Sequence, residues 1–493
     1  MGTKIAAEPR KVLLTVATSI FLLLLPLIYA MVFSPYNSPL NFWKEVSNRS
    51  NGGGGGGDVV SSGSINNGGH GEEDSSLMSL LGRLLKGKDR KELETTGFAC
   101  KSDPLTDVCI AKQPVWMKID GVALTVYLSS SSSINQSQNL QQLQLQETPL
   151  MVRPYVKKND DHARKYVNQI KIQALMDQSN TNGTTPGSCD VSHDVPAVVF
   201  SLGLTGNIFH ELNEIVIPLF LTTHHFRSQI RFVVTDFNTL WARKYAKILS
   251  HLSDFEIINT SQDKRVHCFP GAVVGLHYHN DNLVCRKSEL PVKCSIPEFR
   301  QFLREAFNLK FKNEAEAHQD QKQKPVLVLL SRRHSRSFVN LGEMVRVATV
   351  LGFRVIVASP ELTTNLNEFS GVVNSCSVLV GAHGAGLTNE VFLPEGAVMV
   401  QVVPLGLQWA STNYYGNPLK DMGVHYLEYQ ISPEESTLYD MYGPDHPVIT
   451  NPDSIHRQGY KISRPIYVDS QQVRLNLTKF EDTLVQALRL LDH

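Results

Sequence analysis

The stretch VLVGAHGAGLTNEVFL, residues 378–393, decides how this 493-residue chain is read. Its apolar, β-branched run reads as a buried strand that stops at Gly381, and the pattern resumes at once as an amphipathic helix starting near Gly384. Between them lie His383, Gly384, Ala385 and Gly386. Small residues at such a joint mean that something must approach the backbone closely. In an open α/β sheet the ligand crevice lies at the carboxyl ends of the strands. A glycine turn there directs backbone N–H groups and a helix N-terminus at an anion, typically a phosphate. The spacing is neither the dinucleotide G-x-G-x-x-G nor a P-loop, because no Gly-Lys-Ser/Thr follows. The competing reading is a tight turn around a packed histidine.

Outward from this motif, strand-like and helix-like segments alternate. "VPAVVFS", "IRFVVTDF", "FEIINT" and "AVVGL" are short β-branched runs, with helical patterns such as "NIFHELNEIVIPLFLTTHHF" and "TLWARKYAKILSHL" between them. After a helix at "IPEFRQFLREAF" and a charged polar linker over residues 312–324, the pattern restarts at "KPVLVLLSR". It continues through "LGEMVRVATVLG", "FRVIVAS", "NLNEFSGVVNSC", the motif itself and "AVMVQVV". Repeated βα units imply parallel sheets with helices on both faces. The expected architecture is α/β, with two Rossmann-like lobes over residues 97–311 and 312–493 and a cleft between them. The amphipathic segment 473–491 is expected to pack back on the body.

A second motif bears on the same crevice. In "VLVLLSRRHSRSFVN" the strand opening the second lobe ends in Ser331, Arg332, Arg333, His334, Ser335 and Arg336. Arginine's forked donors suit phosphate oxygens, although a basic cluster alone is usually a solvated surface. The expected site holds a diphosphate between Arg332 and Arg336 on one side and Gly384, Ala385 and Gly386 on the other. Ser331 lies beside it and His383 reaches the leaving phosphate. In the first lobe "GLTGNIFHELNEIVIPLF" presents His210, Glu211 and Glu214 at a helix start, facing the cleft where a general base must sit. The bland alternative is that the glutamates merely favour a helix N-terminus. Asp236, closing "FVVTD", is a further candidate base. No metal is required by this picture. Asp160, Asp161 and His162 read as a helix start or exposed turn, and His277, His279 and Asp281 are ligand types in a loop.

Lys and Arg total 47 and so do Asp and Glu, which gives no support for a general nucleic-acid binder. Near the N-terminus, residues 12–33 are uncharged and long enough to span a bilayer as a helix. Lys4, Arg10 and Lys11 hold residues 1–11 in the cytosol. The alternative is a cleaved signal peptide, whose apolar region is typically only about 7–15 residues. A signal anchor at 12–33 is therefore expected, followed by a flexible lumenal stem over 34–96, where "NGGGGGGDVVSSGSINNGGHGEED" cannot bury enough surface to fold. Inside the stem, "SLMSLLGRLLKG" is patterned as a short amphipathic helix. "SSSSSINQSQNLQQLQLQE", from Ser129, reads as a surface insertion. Glycosylation sequons at Asn48, Asn135, Asn182, Asn259 and Asn476 fit a lumenal chain. All seven cysteines follow the span, none in C-x-x-C spacing. In an oxidising lumen some should pair, with Cys100–Cys109 and Cys285–Cys294 closing the shortest loops, while Cys376 reads as a buried small hydrophobe.

"TGNIFHE", "IPLF", "FVVTDF", "RVHCFPG", "SRRHSR" and "VGAHGAGLTNEVFLPEGAVMVQVVP" together resemble the recurring blocks of glycosyltransferase family 61, most closely its plant branch that substitutes xylan. They run in order from about Cys189 to Pro404, and "DHPVI" and "VDSQQVRLNL" resemble its C-terminal blocks. The resemblance implies a single-pass type II Golgi membrane enzyme of GT-B architecture, with residues 97–311 as the acceptor-side lobe, residues 312–493 as the nucleotide-sugar-binding lobe, no cofactor and no obligatory metal. It would move a pentose, arabinofuranose or xylose, from a UDP-sugar to xylan with inversion. The implied partners are the UDP-sugar, the polysaccharide, the Golgi membrane and other Golgi glycosyltransferases, with no nucleic acid. Two other readings accompany it: an N-glycan-directed xylosyltransferase, and a non-catalytic scaffold of a Golgi synthase complex. Glu211 and Glu214 stand where relatives often carry aspartate, and Lys112-Gln113-Pro114-Val115 where they often show Gly-Asp-Val-Arg. A dehydrogenase is disfavoured, since neither lobe has G-x-G-x-x-G with an acidic residue about twenty positions on.

Overall fold

The computed structural model describes residues 77–121, 123–129, 148–175, 188–279, 283, 295–321 and 324–491. Residues 12–33, residues 34–76, the Ser-rich stretch 130–147, Asn48, Asn135, Asn182, Asp281, Cys285 and Cys294 lie outside them. Among the described residues no helix is long and apolar enough to cross a membrane.

The described residues are mixed α/β with three sheets. The C-terminal sheet has five strands, in the spatial order Arg354–Ala358, Val326–Leu330, Val378–Ala382, Val398–Val403 and His425–Gln430, and every pairing is parallel. Its three central strands are buried at every residue, so both faces are covered, which explains why they read as continuous apolar runs rather than alternating ones. In chain order the strands lie 2-1-3-4-5, and the direction of winding reverses between Val326–Leu330 and Val378–Ala382. A crevice opens at that reversal, outside the carboxyl ends of the two strands.

The N-terminal half builds two six-stranded sheets. In the first, Ala272–Val274, Ala197–Ser201, Arg231–Thr235 and Ile258–Asn259 run parallel, and the hairpin Phe98–Ser102 with Asp107–Ala111 adds antiparallel to Ala272–Val274. These parallel strands are the four runs legible in the sequence. The second sheet, built around Val115–Asp120, Ala123–Leu128 and Ile170–Ala174, is an addition to the expected two-sheet plan. Its signal was present as alternation, because Val115–Asp120 alternates buried and half-buried residues. Lys112, Gln113 and Pro114 form the bend that carries the chain from one sheet to the other.

Several expectations change. Residues 77–96, expected in the stem, belong to the folded body: helices Leu77–Gly82 and Gly87–Thr96 and the turn between them bury Leu81, Leu84, Leu85 and Leu93. The stretch expected to link the lobes carries helix Glu314–Gln321, docked by the Glu314 N–H on the Glu395 carbonyl and by buried Ala317. Helix Ile296–Phe307, entered through a Ser295/Glu298 capping box, is shared by both halves. Its Phe299 ring lies 5.3 Å from Phe220, while buried Arg300 donates to the carbonyls of Val391, Leu393 and Met422. Finally, the segment after the glycine motif is a 3-10 helix, Ala385–Phe392, with Leu387 through Phe392 all buried. It was expected to be amphipathic; instead it takes Thr388, Asn389 and Glu390 out of water.

The terminal helix Leu477–Leu491 packs back as expected, on Leu341–Val350 and on strands Val398–Val403 and His425–Gln430. Phe480, Leu484 and Ala487 form its buried stripe, and each large apolar side chain so buried contributes roughly 1.5–3 kcal/mol. Disulfides join Cys100 to Cys109 across the hairpin and Cys189 to Cys268, while Cys376 is free and buried. The second pairing closes too long a loop, 79 residues, to be chosen from spacing.

Candidate functional site

The loops following Val326–Leu330 and Val378–Ala382 meet at the winding reversal and bring the two motifs together. Arg332 donates through Nε to the Ser335 carbonyl at 2.7 Å, and Arg336 through Nη1 to the His383 carbonyl at 2.7 Å. Arg336 is only 8 % exposed, its Nε has no partner, and neither arginine forms an ion pair among the described residues. Burial, and then the neighbouring Arg332 charge, lowers Arg336 to about 10. A buried guanidinium beside a half-buried one, without a carboxylate, is costly unless an anion completes them. Arg333 is different: it is exposed and paired with Glu361. The backbone of Arg336 is left-handed, at φ 55°, and its N–H is held by the Gln471 carbonyl. A bulky residue kept in that conformation marks a position where the side chain matters.

Gly384 lies at φ 153°, in a region favourable only to glycine. A Cβ there would sit 2.6 Å from Arg332 Nη1 and 3.1 Å from Arg336 Nη1. At Gly386 the nearest atom would be an ordinary 3.6 Å away, so the motif needs one glycine for the guanidiniums and not two. The first amides of Ala385–Phe392 have no carbonyl within the helix to bond. His383 is 7 % exposed, and its Nδ1 accepts from the Gln401 amide at 2.9 Å. The Tyr426 hydroxyl lies 2.9 Å from Gln401 Oε1 and 2.7 Å from the Glu428 carboxylate, which takes its proton in competition with the amide. Burial first, then Arg336 and Arg332, lowers His383 to about 3, so the ring is neutral with its proton on Nε2.

These residues line one side of a cavity of about 910 Å³, whose other side comes from the N-terminal half. There Asn207 caps helix Ile208–Glu211 through the Phe209 N–H, placing Phe209 and His210 on the wall with Lys157. His210 Nδ1 donates to Glu214 Oε1 at 2.7 Å, leaving Nε2 as an acceptor. Glu214 is buried and also accepts from Tyr155 Oη and Lys157 Nζ, each at 2.5 Å. Burial pushes its carboxyl up, but the His210 and Lys157 interactions outweigh it and hold it down at about 2. An ionised carboxylate fixing one imidazole nitrogen leaves the other free to take a proton.

A family model described as Glycosyltransferase 61 matches residues 206–400 of this chain, a span that carries His210 and both the arginine and the glycine motif. The xylan glycosyltransferase MUCI21 of Arabidopsis thaliana is 34 % identical over 394 residues, 78 % of this chain and 77 % of its own. The beta-1,2-xylosyltransferase XYXT1 of Oryza sativa subsp. japonica is 37 % identical over 343 residues, 69 % of this chain and 72 % of its own. This chain belongs to glycosyltransferase family 61. The alpha-1,3-arabinosyltransferase XAT2 of the same rice is 37 % identical over 339 residues, 68 % of this chain, but the match spans only 57 % of that relative's length.

In this family 61 chain the structure separates residues that the sequence grouped. Arg332, Arg336, His383, Gly384 and Ala385 share the large cavity with His210, whereas Ser331 and Gly386 line a neighbouring pocket of about 340 Å³ that Arg332 also touches. Glu211 does not line the cavity. Its buried carboxylate is used by the Gly206 N–H, Lys244 Nζ and Tyr245 Oη, so it braces the loop and helix rather than standing as a base. Asp236 accepts from Ser201 and Asn168 and lies off the cavity wall. Asp160 accepts from the His162 and Ala163 N–H groups at the start of a single 3-10 turn, as a helix start should. His279 bonds Asn213, and among the described residues no group of three or more His, Cys, Asp or Glu side chains is placed to hold a metal.

Sequence reasoning missed Lys157, Trp409, Tyr414, Tyr415, Asp453, His456 and Tyr460, all on the cavity wall. They belong to no repeating pattern. A structural signal does mark them: the π-helical turns Leu212–Val216, Thr412–Gly416 and Arg464–Ser470 all adjoin the cavity, as such turns often do at functional sites.

Acid should destabilise this protein. Burial lowers His225 to about 3 and His277 to about 4, beside His383 at about 3, so each stays neutral when folded but takes a proton below about 6.5 when unfolded. Glu390 works the other way, since burial raises its carboxyl and the folded chain retains that proton. These three rings against Glu390 leave two protons in favour of the unfolded state, or about 3 kcal/mol lost per pH unit between about 6 and 4.5, and the lowered His193, His224 and His267 act in the same direction. The melting temperature should fall by roughly 5–10 °C from pH 6.5 to 5, and a flat profile by calorimetry would contradict the burial of these rings.

Proposed function

We propose that this protein is an inverting pentosyltransferase that moves arabinofuranose or xylose from a UDP-sugar to xylan. The observation that carries the reading is the buried Arg336 beside the half-buried Arg332, neither in an ion pair among the described residues, facing His210 across one cavity. In this reading the diphosphate lies against Arg332, Arg336 and the Gly384 backbone, with the neutral His383 donating from Nε2. The acceptor hydroxyl attacks the anomeric carbon from the opposite face as the bond to the diphosphate oxygen breaks. Its proton passes to His210 Nε2, and Glu214 stabilises the imidazolium that forms. The two arginines supply the positive charge a departing diphosphate requires, so no metal is needed in the scheme. The parallel sheet with its 2-1-3-4-5 order and the facing N-terminal sheets favour a GT-B arrangement.

The chain is further proposed to be a type II Golgi protein, anchored by residues 12–33 with everything after them lumenal. Asn476 is exposed, and its Oδ1 caps the terminal helix through the Thr478 and Lys479 N–H groups, so a glycan on Nδ2 would not disturb that cap. An endoglycosidase that leaves gel mobility unchanged would refute the glycosylation proposal.

The activity is tested by offering the purified protein a panel of UDP-sugars with xylo-oligosaccharides and N-glycans and reading products by mass. Pentose addition to the xylo-oligosaccharide is expected; addition to the N-glycan alone would move the acceptor. Arg332→Ala and Arg336→Ala should each weaken UDP binding by roughly ten- to a hundredfold, since a charge-assisted contact contributes about 1.5–3 kcal/mol. Calorimetry on folded variants decides it, and wild-type affinity in both would sink the phosphate assignment. A chelator should leave UDP affinity unchanged.

A further inference from the structure

The cavity is chemically two-ended. At its inner end His383 and Arg336 are almost fully buried, and from them a line of rings runs outward. Tyr414 lies 6.3 Å from His383, and Trp409 lies 5.9 Å from Tyr414, edge-on to it. Trp409 is 70 % exposed and Tyr460, on the same cavity wall, is 67 % exposed. Large aromatic side chains left in water on a cavity wall mark a binding surface rather than a core. Beside them stands Asp453, exposed and without an ion pair among the described residues. A free carboxylate repels phosphate but accepts hydrogen bonds from hydroxyl groups.

Taking the proposed sugar transfer as its basis, we propose that Trp409 and Tyr460 form the acceptor subsite, where sugar rings of an uncharged polysaccharide stack on the aromatic faces while Asp453 accepts from their hydroxyl groups. A sugar's C–H face is apolar and its rim is polar, so a flat ring beside a hydroxyl acceptor matches both. Trp409, Asp453 and Tyr460 lie in the half that the family resemblance assigns to the nucleotide sugar, so the base of a nucleotide held by its diphosphate at the arginines is the competing occupant, and the UDP arm of the test separates the two.

The test uses the full-length protein with xylohexaose and with UDP as separate probes. Xylohexaose should change the intrinsic fluorescence, and the change should vanish in Trp409→Ala. Of the four tryptophans Trp241 is buried, Trp116 is partly buried within a strand and Trp43 lies outside the described residues, so loss of the change in Trp409→Ala identifies the reporter. In turnover, Trp409→Ala should raise the KM for xylohexaose about tenfold or more with kcat much less affected, and Trp409→Tyr should recover most of the loss. The Kd for UDP should stay within about twofold of wild type. The fold is not at risk at so exposed a side chain. A loss of UDP affinity with unchanged acceptor KM would assign the ring to the base of the nucleotide and overturn the proposal. So would an acceptor KM and fluorescence response unchanged by the substitution. If the wild-type protein fails to bind UDP, the donor reading falls separately, and the xylohexaose titration still decides this one.

Discussion

His210→Ala lowers kcat by about 10²–10⁴-fold and leaves UDP affinity unchanged. The expectation rests on hydrogen bonding that directs one nitrogen to the work: Nδ1–H is tied to a buried, ionised Glu214, and the free Nε2 lies on the cavity wall opposite the guanidiniums. Removing the imidazole takes away the proposed proton acceptor without touching the proposed diphosphate contacts, so binding and turnover should separate. Glu214→Gln tests the same arrangement from behind. The amide keeps the shape but loses the charge that stabilises the protonated ring, so kcat should fall about tenfold to a hundredfold. The acid limb of the pH–rate profile should also move to lower pH. Because Glu214 holds Tyr155 and Lys157 as well, the melting temperature of that variant must be read alongside. A His210→Ala enzyme with wild-type kcat would remove His210 from the chemistry. A variant that loses UDP binding instead would place the ring at the donor.

Gly384→Val abolishes UDP binding, weakening it by at least about a hundredfold, while Gly386→Ala leaves it near wild type. The contrast follows from geometry. At Gly384 a side chain would press into both guanidiniums, and Arg332 cannot simply swing away without losing the Ser335 carbonyl. The φ of 153° adds strain for a β-branched residue, so some loss of stability accompanies the substitution. At Gly386 an added methyl meets only Leu330 at van der Waals distance. Thermal melts and UDP calorimetry on the same samples separate the two effects. A stable Gly384→Val protein with normal UDP affinity would mean that the turn serves packing alone.

Much of the C-terminal half was legible before any coordinates, because strands buried on both faces must be continuously apolar and the helices between them carry a periodic stripe. Val326–Leu330, Val378–Ala382 and Val398–Val403 are such strands, and family membership was readable from the blocks around them. The same reading passed over the second N-terminal sheet, whose short strands alternate and lie between loops. It also placed residues 77–96 in the stem, although "SLMSLLGRLLKG" read as a short amphipathic helix, because its leucines become buried only when the body is there to receive them.

The site divides along the same line. Residue types and their place after a strand determined that Arg332, Arg336, His383 and Gly384 would meet, since parallel strands of one sheet bring their carboxyl ends to one edge. What only the tertiary structure decided is which neighbours each side chain meets. Glu211 and Glu214 stand three positions apart on one helix, yet Glu211 faces Lys244 and Tyr245 in the core while Glu214 backs His210 at the cavity. Arg333 leaves the cluster for Glu361, and Trp409, Asp453 and Tyr460 arrive from segments distant in sequence. Local pattern specifies an element and the face it buries, but a hydrogen-bond partner from another part of the chain is chosen only when packing brings the two within 3 Å or so of each other.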